Sequence, residues 1–330
     1  MKPNKSLMGG TLIRTLIRTL IRTLILAFMV PTLAPAQAWS PPKGQGFLTF
    51  TTQSLDATNH LYSQEVLGTR SLDIGKMEGR VLVLDGDFGI TKKLAVTTSV
   101  AYVSSRFREG GRIGETNPLA PHRDLPVDDG RWHSSFQDAR VSLRYSQPKG
   151  PWVFTPSVAV VVPLTSYATL GHASIGRGLE EAQLGLDIGR LLYQSGRPRA
   201  YAQGGYRYAV IESVGETSLR TSDLFVEMGY FAHRRLMVRG FGAYRASHGG
   251  IDWRGVHPSE FHAHDQLAAA QWLRLGVGLS IPLSDRRALF ASVAKTVQGE
   301  NTHDGTTLSL GTSWSFHGPG FGRQKIRLPG

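Results

Sequence analysis

Residues 308–316 read LSLGTSWSF. Leu308, Leu310, Thr312, Trp314 and Phe316 share one parity, and Ser309, Gly311, Ser313 and Ser315 share the other. A period of two is what a β-strand shows when one face meets apolar surroundings and the other meets water. The polar face, all Ser and Gly, is too small to build a soluble core. The apolar face ends in two aromatics, where a strand crossing an outer membrane places its interfacial girdle. The stretch therefore predicts the closing strand of an outer-membrane β-barrel. Fourteen residues, His317 to Gly330, follow Phe316, so the aromatic that normally serves as the assembly signal is not terminal.

Working back from that strand, the same alternation recurs along the chain. Gly46–Gln53 places Leu48 and Phe50 outward and Thr49 and Thr51 inward. Comparable stretches follow at 81–90, Leu94–Val103, Phe136–Tyr145, Trp152–Leu164, around Ala182–Gly189, Arg199–Val210, Asp223–Phe231, Leu236–Arg245, Gln271–Ile281, Ala288–Val297 and Thr306–Phe316. Short turns fall at Thr91–Lys93, Gln147–Gly150, Gln194–Pro198, His233-Arg234 and Leu283–Arg287. Long connections fall at 54–79, 104–134, around Gly171, and at 211–222, 246–270 and 298–305. An even strand count with tight turns at one end and long loops at the other is the topology of an outer-membrane barrel, the tight turns being periplasmic. The expected fold is all-β: a transmembrane up-and-down antiparallel barrel of about 12 strands.

Charge placement supports that facing. A Lys or Arg against lipid at mid-depth costs roughly 2–4 kcal/mol. Read with one consistent parity, the mid-strand charges point inward: Asp85, Asp87, Asp138, Asp187 and Glu227 against Arg140, Arg144, Arg207, Arg239 and Arg274. These ten are the candidate lumen-lining residues. Segregated onto opposite walls they would set a field across a pore; paired, they would knit a network that fills it. Inward Phe225, Phe241 and Trp272 add stacking surface. Lys295 has outward parity, near a strand end where its stem can snorkel.

The N-terminus predicts export. Lys2 and Lys5, the repeat TLIR-TLIR-TLIR and the apolar run Thr23–Leu33 lead to Ala36-Gln37-Ala38, a small-x-small cleavage site. Residues 1–38 are thus expected to be a cleaved signal peptide, 39–316 the barrel and 317–330 a basic Gly/Pro-rich tail. Removing the signal takes away five basic and no acidic residues, so the formal charge falls from +12 to +7. An exported basic surface meets lipopolysaccharide and phospholipid phosphates before nucleic acid, which is not an expected partner. The expected partners are outer-membrane lipids and lipopolysaccharide, the barrel-assembly machinery and a small-molecule solute. The chain has no Cys, so rigidity must come from something other than disulfides, and a closed hydrogen-bond ladder supplies it.

Several segments resemble one family. Trp39–Gly46 (WSPPKGQG), the run Asp87–Leu94 (DFGITKKL), Asp138-Ala139-Arg140 and residues 176–190 (GRGLEEAQLGLDIGR) are similar to segments of the phenol meta-pathway degradation-type family of Gram-negative bacteria. The resemblance implies an outer-membrane barrel that acts as a channel or transporter, often for hydrophobic or aromatic compounds. It implies no catalytic residue and no cofactor.

Three further features carry chemistry on paper. His257, Glu260, His262, His264 and Asp265 lie close together in a loop and are N/O donors a metal could use, although a solvated loop is the plainer expectation and no metal site is assigned. His172 and Ser174 sit two apart, as in outer-membrane lipid hydrolases, but without the extended motif of such enzymes. Trp39–Gln45, with two prolines, could fold back into the lumen as a small plug. The sequence thus points to a non-enzymatic channel for small molecules, hydrophobic or aromatic ones among them. The alternatives are a closed structural or surface-interaction barrel and, third, a lipid esterase.

Overall fold

The computed structural model describes residues 38–66, 69–109, 126–194, 197–233, 235–252 and 264–318. Its strand segments are, in chain order, β1 (Gln45–Val66), β2 (Thr69–Gly89), β3 (Leu94–Glu109), β4 (His133–Phe136), β5 (Ala139–Tyr145), β6 (Gln147–Lys149), β7 (Trp152–Val162), β8 (Glu181–Gln194), β9 (Arg197–Ile211), β10 (Leu219–His233), β11 (Leu236–Gly249), β12 (Gln271–Ser284), β13 (Arg287–Glu300) and β14 (Thr302–His317). One helical turn, His264–Leu267, precedes β12. Strands pair antiparallel with their neighbours in the chain, and β1 pairs β14. β4, β5 and β6 share the single place between β3 and β7, which leaves twelve places around a closed wall. Closure removes the unpaired edge that lipid would not tolerate.

The residue distribution is inverted relative to a soluble protein. Leu184 is 63% exposed, Met228 65% and Leu310 60%, whereas Asp187 is 3%, Arg144 6% and Asp87 8% exposed. Apolar side chains cover the outside and charges fill the inside, which places the protein in the outer membrane of a Gram-negative bacterium. Along β14, Leu308 and Leu310 lie open while Ser313 is buried, the facing that LSLGTSWSF requires. Phe316 stacks on Phe88 with ring centroids 6.1 Å apart beside the β1–β14 seam.

Three stretches differ from the expectation. The connection expected at 54–79 is strand: β1 and β2 stay paired from Ser54↔Arg80 to Leu61↔Ser71, so the hairpin projects beyond the lipid. There the outward positions turn polar (Ser54, Asp56, Glu78, Arg80), so the hydropathy alternation ends while the hydrogen-bond ladder continues. The loop expected at 298–305 is likewise a hairpin, turning at Asn301 with φ 52°, a conformation Asn tolerates better than most residues. The strand expected at Phe136–Tyr145 breaks at Gln137-Asp138, whose side chains leave the wall to hold a loop described below. Its expected following turn, Gln147–Gly150, begins instead as β6 on β7.

Candidate functional site

Inward side chains at mid-barrel enclose a cavity of about 300 Å³, at the lower end of the range for small-molecule sites. Six of the ten charged residues selected from the sequence line it: Asp85, Asp87, Arg140, Arg144, Asp187 and Arg207. Phe47, Thr49, Thr97, Ser99, Ser142 and Ser157 complete most of the remaining lining, so among the described residues Phe47 is the one apolar side chain larger than a methyl group there. Around the wall the signs alternate: acids on β2, hydroxyls on β3, bases on β5, an acid on β8 and a base on β9. That order builds a network rather than a field between two opposed walls.

Arg144 is its best-tied member. Its Nη1 donates to Asp87 Oδ2 at 2.8 Å and to Thr97 Oγ1 at 3.2 Å, and its Nη2 donates to the Trp39 carbonyl at 3.1 Å. A buried charge must be paired and hydrogen-bonded to persist, and this one is. Arg140 donates through Nε to Gln183 Oε1 at 2.9 Å. Asp187 presents an Oδ1 with no hydrogen-bond partner among the described residues. The cavity is therefore lined by groups able to receive a polar solute.

The Trp39 contact belongs to the periplasmic closure. Ala38 and Trp39 run inside the barrel, so the segment before β1 does fold back as a plug. Ala38 N donates to Gln203 Oε1 at 3.1 Å, and its carbonyl accepts from Thr155 Oγ1 at 2.6 Å. Trp39 stands edge-on to Tyr201 at 6.2 Å, and Ser40 meets Ser146 at 2.6 Å. Two glycines make room for the strap. A Cβ on Gly89 would lie 2.3 Å from the Pro42 carbonyl oxygen, and one on Gly189 would lie 2.6 Å from the Ala38 Cβ. Both glycines and the strap itself belong to the motifs that carry the family resemblance.

The outer closure is the segment between β7 and β8. Ile175 packs with Ala101 and Val103, flanked by Val81 and Val83, all four wall positions of inward parity, and by Tyr167 of the same segment. Asp138, a lumen-lining candidate, ties this segment down: Tyr167 Oη donates to its Oδ1, and Gly178 N donates to its Oδ2 at 3.3 Å. Gln137 Nε2 donates to the Ile175 carbonyl at 2.8 Å. Further along, Asp128 accepts from the amides of His172 and Ala173, both at 2.9 Å. The His172 ring lies 6.0 Å from that of His60 on β1 and 5.2 Å from that of His303 on β14. β14 stands six places round the wall from β8, so the segment crosses the lumen.

The other expected residues lie on the β10–β12 wall. Glu227 accepts from Arg239 Nη1 at 2.8 Å and from Tyr201 Oη at 2.7 Å. Each cation there meets an aromatic, Arg239 over Phe241 at 5.4 Å and Arg274 with Arg245 about Trp272 at 4.8 and 5.4 Å, and on neighbouring β9 Arg207 lies over Phe225 at 5.6 Å. Glu227, Arg239 and Arg274 are thus not brought to the mid-barrel cavity. Arg245, ion-paired to Asp223 at 2.6 Å, was not among the expected residues, although its parity on β11 puts it inward with Arg239. Ser174 donates to the Gly176 carbonyl at 2.9 Å, and the His172 ring lies 4.7 Å from that of Phe107. Residues 253–263 of the His-bearing loop lie outside the described residues, as do 1–37 and 319–330.

These features define a closed twelve-stranded outer-membrane barrel with a polar chamber between two internal closures. No protein-family model matches the sequence, and no curated protein does. Among solved structures the chain is similar to an outer-membrane channel from Pseudomonas putida F1, at 11% identity over 86% of this chain and 100% of that one, with a TM-score of 0.62. It is also similar to the NanC porin, at 7% identity over 81% and 98% of the two chains, with a TM-score of 0.47. The β domain of the Bordetella autotransporter BrkA follows at 10% identity over 83% and 100%, with a TM-score of 0.47. At such identities the first of these likenesses speaks for the fold.

Proposed function

We propose that this protein is a passive outer-membrane channel for small solutes, and that the solutes are polar. The observation that carries this reading is the mid-barrel chamber of about 300 Å³, walled by three guanidinium groups, three carboxylates and several hydroxyls. A water-filled chamber of this kind exchanges hydrogen bonds with a polar solute at little net cost, whereas an apolar solute would strip water from ionised groups without replacing it. The hydrophobic or aromatic cargo that the family resemblance implies is therefore the less supported part of the expectation. Membership of the phenol meta-pathway degradation-type family remains part of the proposal, resting on the motifs that build the strap and its glycine cradle.

Liposome swelling tests the reading. Proteoliposomes are expected to swell in isosmotic glycerol or glycine faster than protein-free controls. Swelling in neither, together with a silent planar bilayer, would remove the channel and leave a closed structural barrel. That second reading is favoured by one observation, the occupation of the lumen by Trp39 and by Ile175.

A further inference from the structure

The β2–β3 hairpin carries a basic patch on its outer face. Lys76, Glu78 and Arg80 have the parity of lipid-facing Leu82, and Arg106 and Arg108 that of lipid-facing Tyr102, with no register shift between the strands. Tyr102 meets Phe136 at 5.3 Å, an aromatic pair at the upper edge of the apolar belt. At about 3.4 Å per residue and a tilt near 40°, Arg80 and Arg106 rise roughly 5 and 10 Å above it. That is headgroup height.

Four cations there face two carboxylates. Glu78 holds Arg106 at 2.7 Å, Arg108 at 2.8 Å and Lys76 at 3.3 Å, and Asp56 holds Lys76 at 3.2 Å. Glu78 lies beneath at 16% side-chain exposure, while Arg108 at 51% and Lys76 at 40% stand outward. Arg80 has no carboxylate partner among the described residues. Its guanidinium is held 4.7 Å from the Trp132 ring, with Arg106 4.5 Å from the same ring. Burial pushes the Glu78 carboxyl up, but its hydrogen bonds from Arg106 and Lys76 outweigh this and hold it below the usual carboxylate range. It therefore stays ionised at neutral pH and keeps the cations in place without cancelling them.

We propose that this patch binds the phosphate groups of lipopolysaccharide in the outer leaflet. Guanidinium forks match phosphate oxygens, and stacking on Trp132 fixes two of them in advance, which lowers the ordering cost of binding. A free phosphate ion offers the same chemistry, but the position just above the lipid belt favours a phosphate anchored to acyl chains.

The test uses the full barrel purified in zwitterionic detergent and two variants, R80A/R108A and, as a control, R220A, a lone outward arginine on β10 across the barrel. Binding of lipopolysaccharide, phosphatidylglycerol and inorganic phosphate is measured by native mass spectrometry. Wild type and R220A are expected to retain lipopolysaccharide, and R80A/R108A to retain at least fivefold less, with phosphatidylglycerol unchanged. Equal retention by R80A/R108A, an equal loss of phosphatidylglycerol, or occupancy of the patch by inorganic phosphate alone overturns the proposal. Should the double variant fail to assemble, as read from heat-modifiable gel mobility, R80Q decides: it removes no ion pair and is expected to lower retention at least twofold, while unchanged retention refutes the patch.

Discussion

At the scale of single residues, Arg144 decides whether the chamber is a held network or a collection of solvated charges. It is buried at 6%, and its guanidinium joins Asp87, Thr97 and the Trp39 carbonyl. Removing one member of a buried pair leaves the other charge uncompensated, which costs about 3–5 kcal/mol, whereas replacing both with apolar groups is often neutral. Arg144→Met is accordingly expected to destabilise the barrel by about 3 kcal/mol in urea titrations followed by tryptophan fluorescence. Asp87→Leu combined with Arg144→Met is expected to recover most of that loss. Similar destabilisation in single and double variants would show that the pair is not coupled. Parity made Arg144 and Asp87 legible from the sequence, because a period of two assigns every strand residue to one face. Its hydrogen bond to Trp39 had no such signal, since a strap contacts the wall by backbone groups that no pattern of side chains encodes.

At the scale of elements, the strands were readable wherever they cross lipid and unreadable beyond it. β12 alternates Leu275, Val277 and Leu279 outward, all strongly exposed, and its place follows from that alone. The upper halves of β1 and β2 have polar outer positions, so strand and loop look alike there. The two closures were harder still. The plug formed by the strap was one of two open possibilities for Trp39–Gln45, and the segment between β7 and β8 reads only as a Gly-bearing loop, although Ile175 and Tyr167 anchor it inside. The strap can be tested through its cradle. A Leu at position 189 would drive its Cβ to 2.7 Å from the ring of Trp39, the first residue expected after signal removal, while the wall of β8 keeps its ladder. Gly189→Leu is expected to displace the strap, expose the N-terminal segment to periplasmic-side protease and raise single-channel conductance at least twofold. Unchanged protection in a folded Gly189→Leu barrel would mean that the strap does not depend on this cradle.

At the scale of the whole molecule, the chamber is bounded by two obstacles in series, the strap headed by Trp39 toward the periplasm and the β7–β8 segment toward the outside. Resistances in series add, so whichever one is removed, the one left in place still limits the current. The outer closure is fastened separately from the strap: Asp138 holds it through Tyr167 and Gly178, and Asp128 holds it through the amides of His172 and Ala173. The two sets of contacts share no residue, and perturbations at sites without shared partners are close to additive in stability. Conductance, however, should not be additive. Asp128→Ala with Asp138→Ala is expected to loosen only the outer closure and Gly189→Leu only the strap, each raising planar-bilayer current. The triple variant is expected to exceed the sum of the two rises, because only then is neither resistance limiting. If Gly189→Leu alone reaches the triple variant's conductance, the β7–β8 segment offers no barrier and the strap is the single gate. If the outer-closure variant alone reaches it, the gate is at the other end.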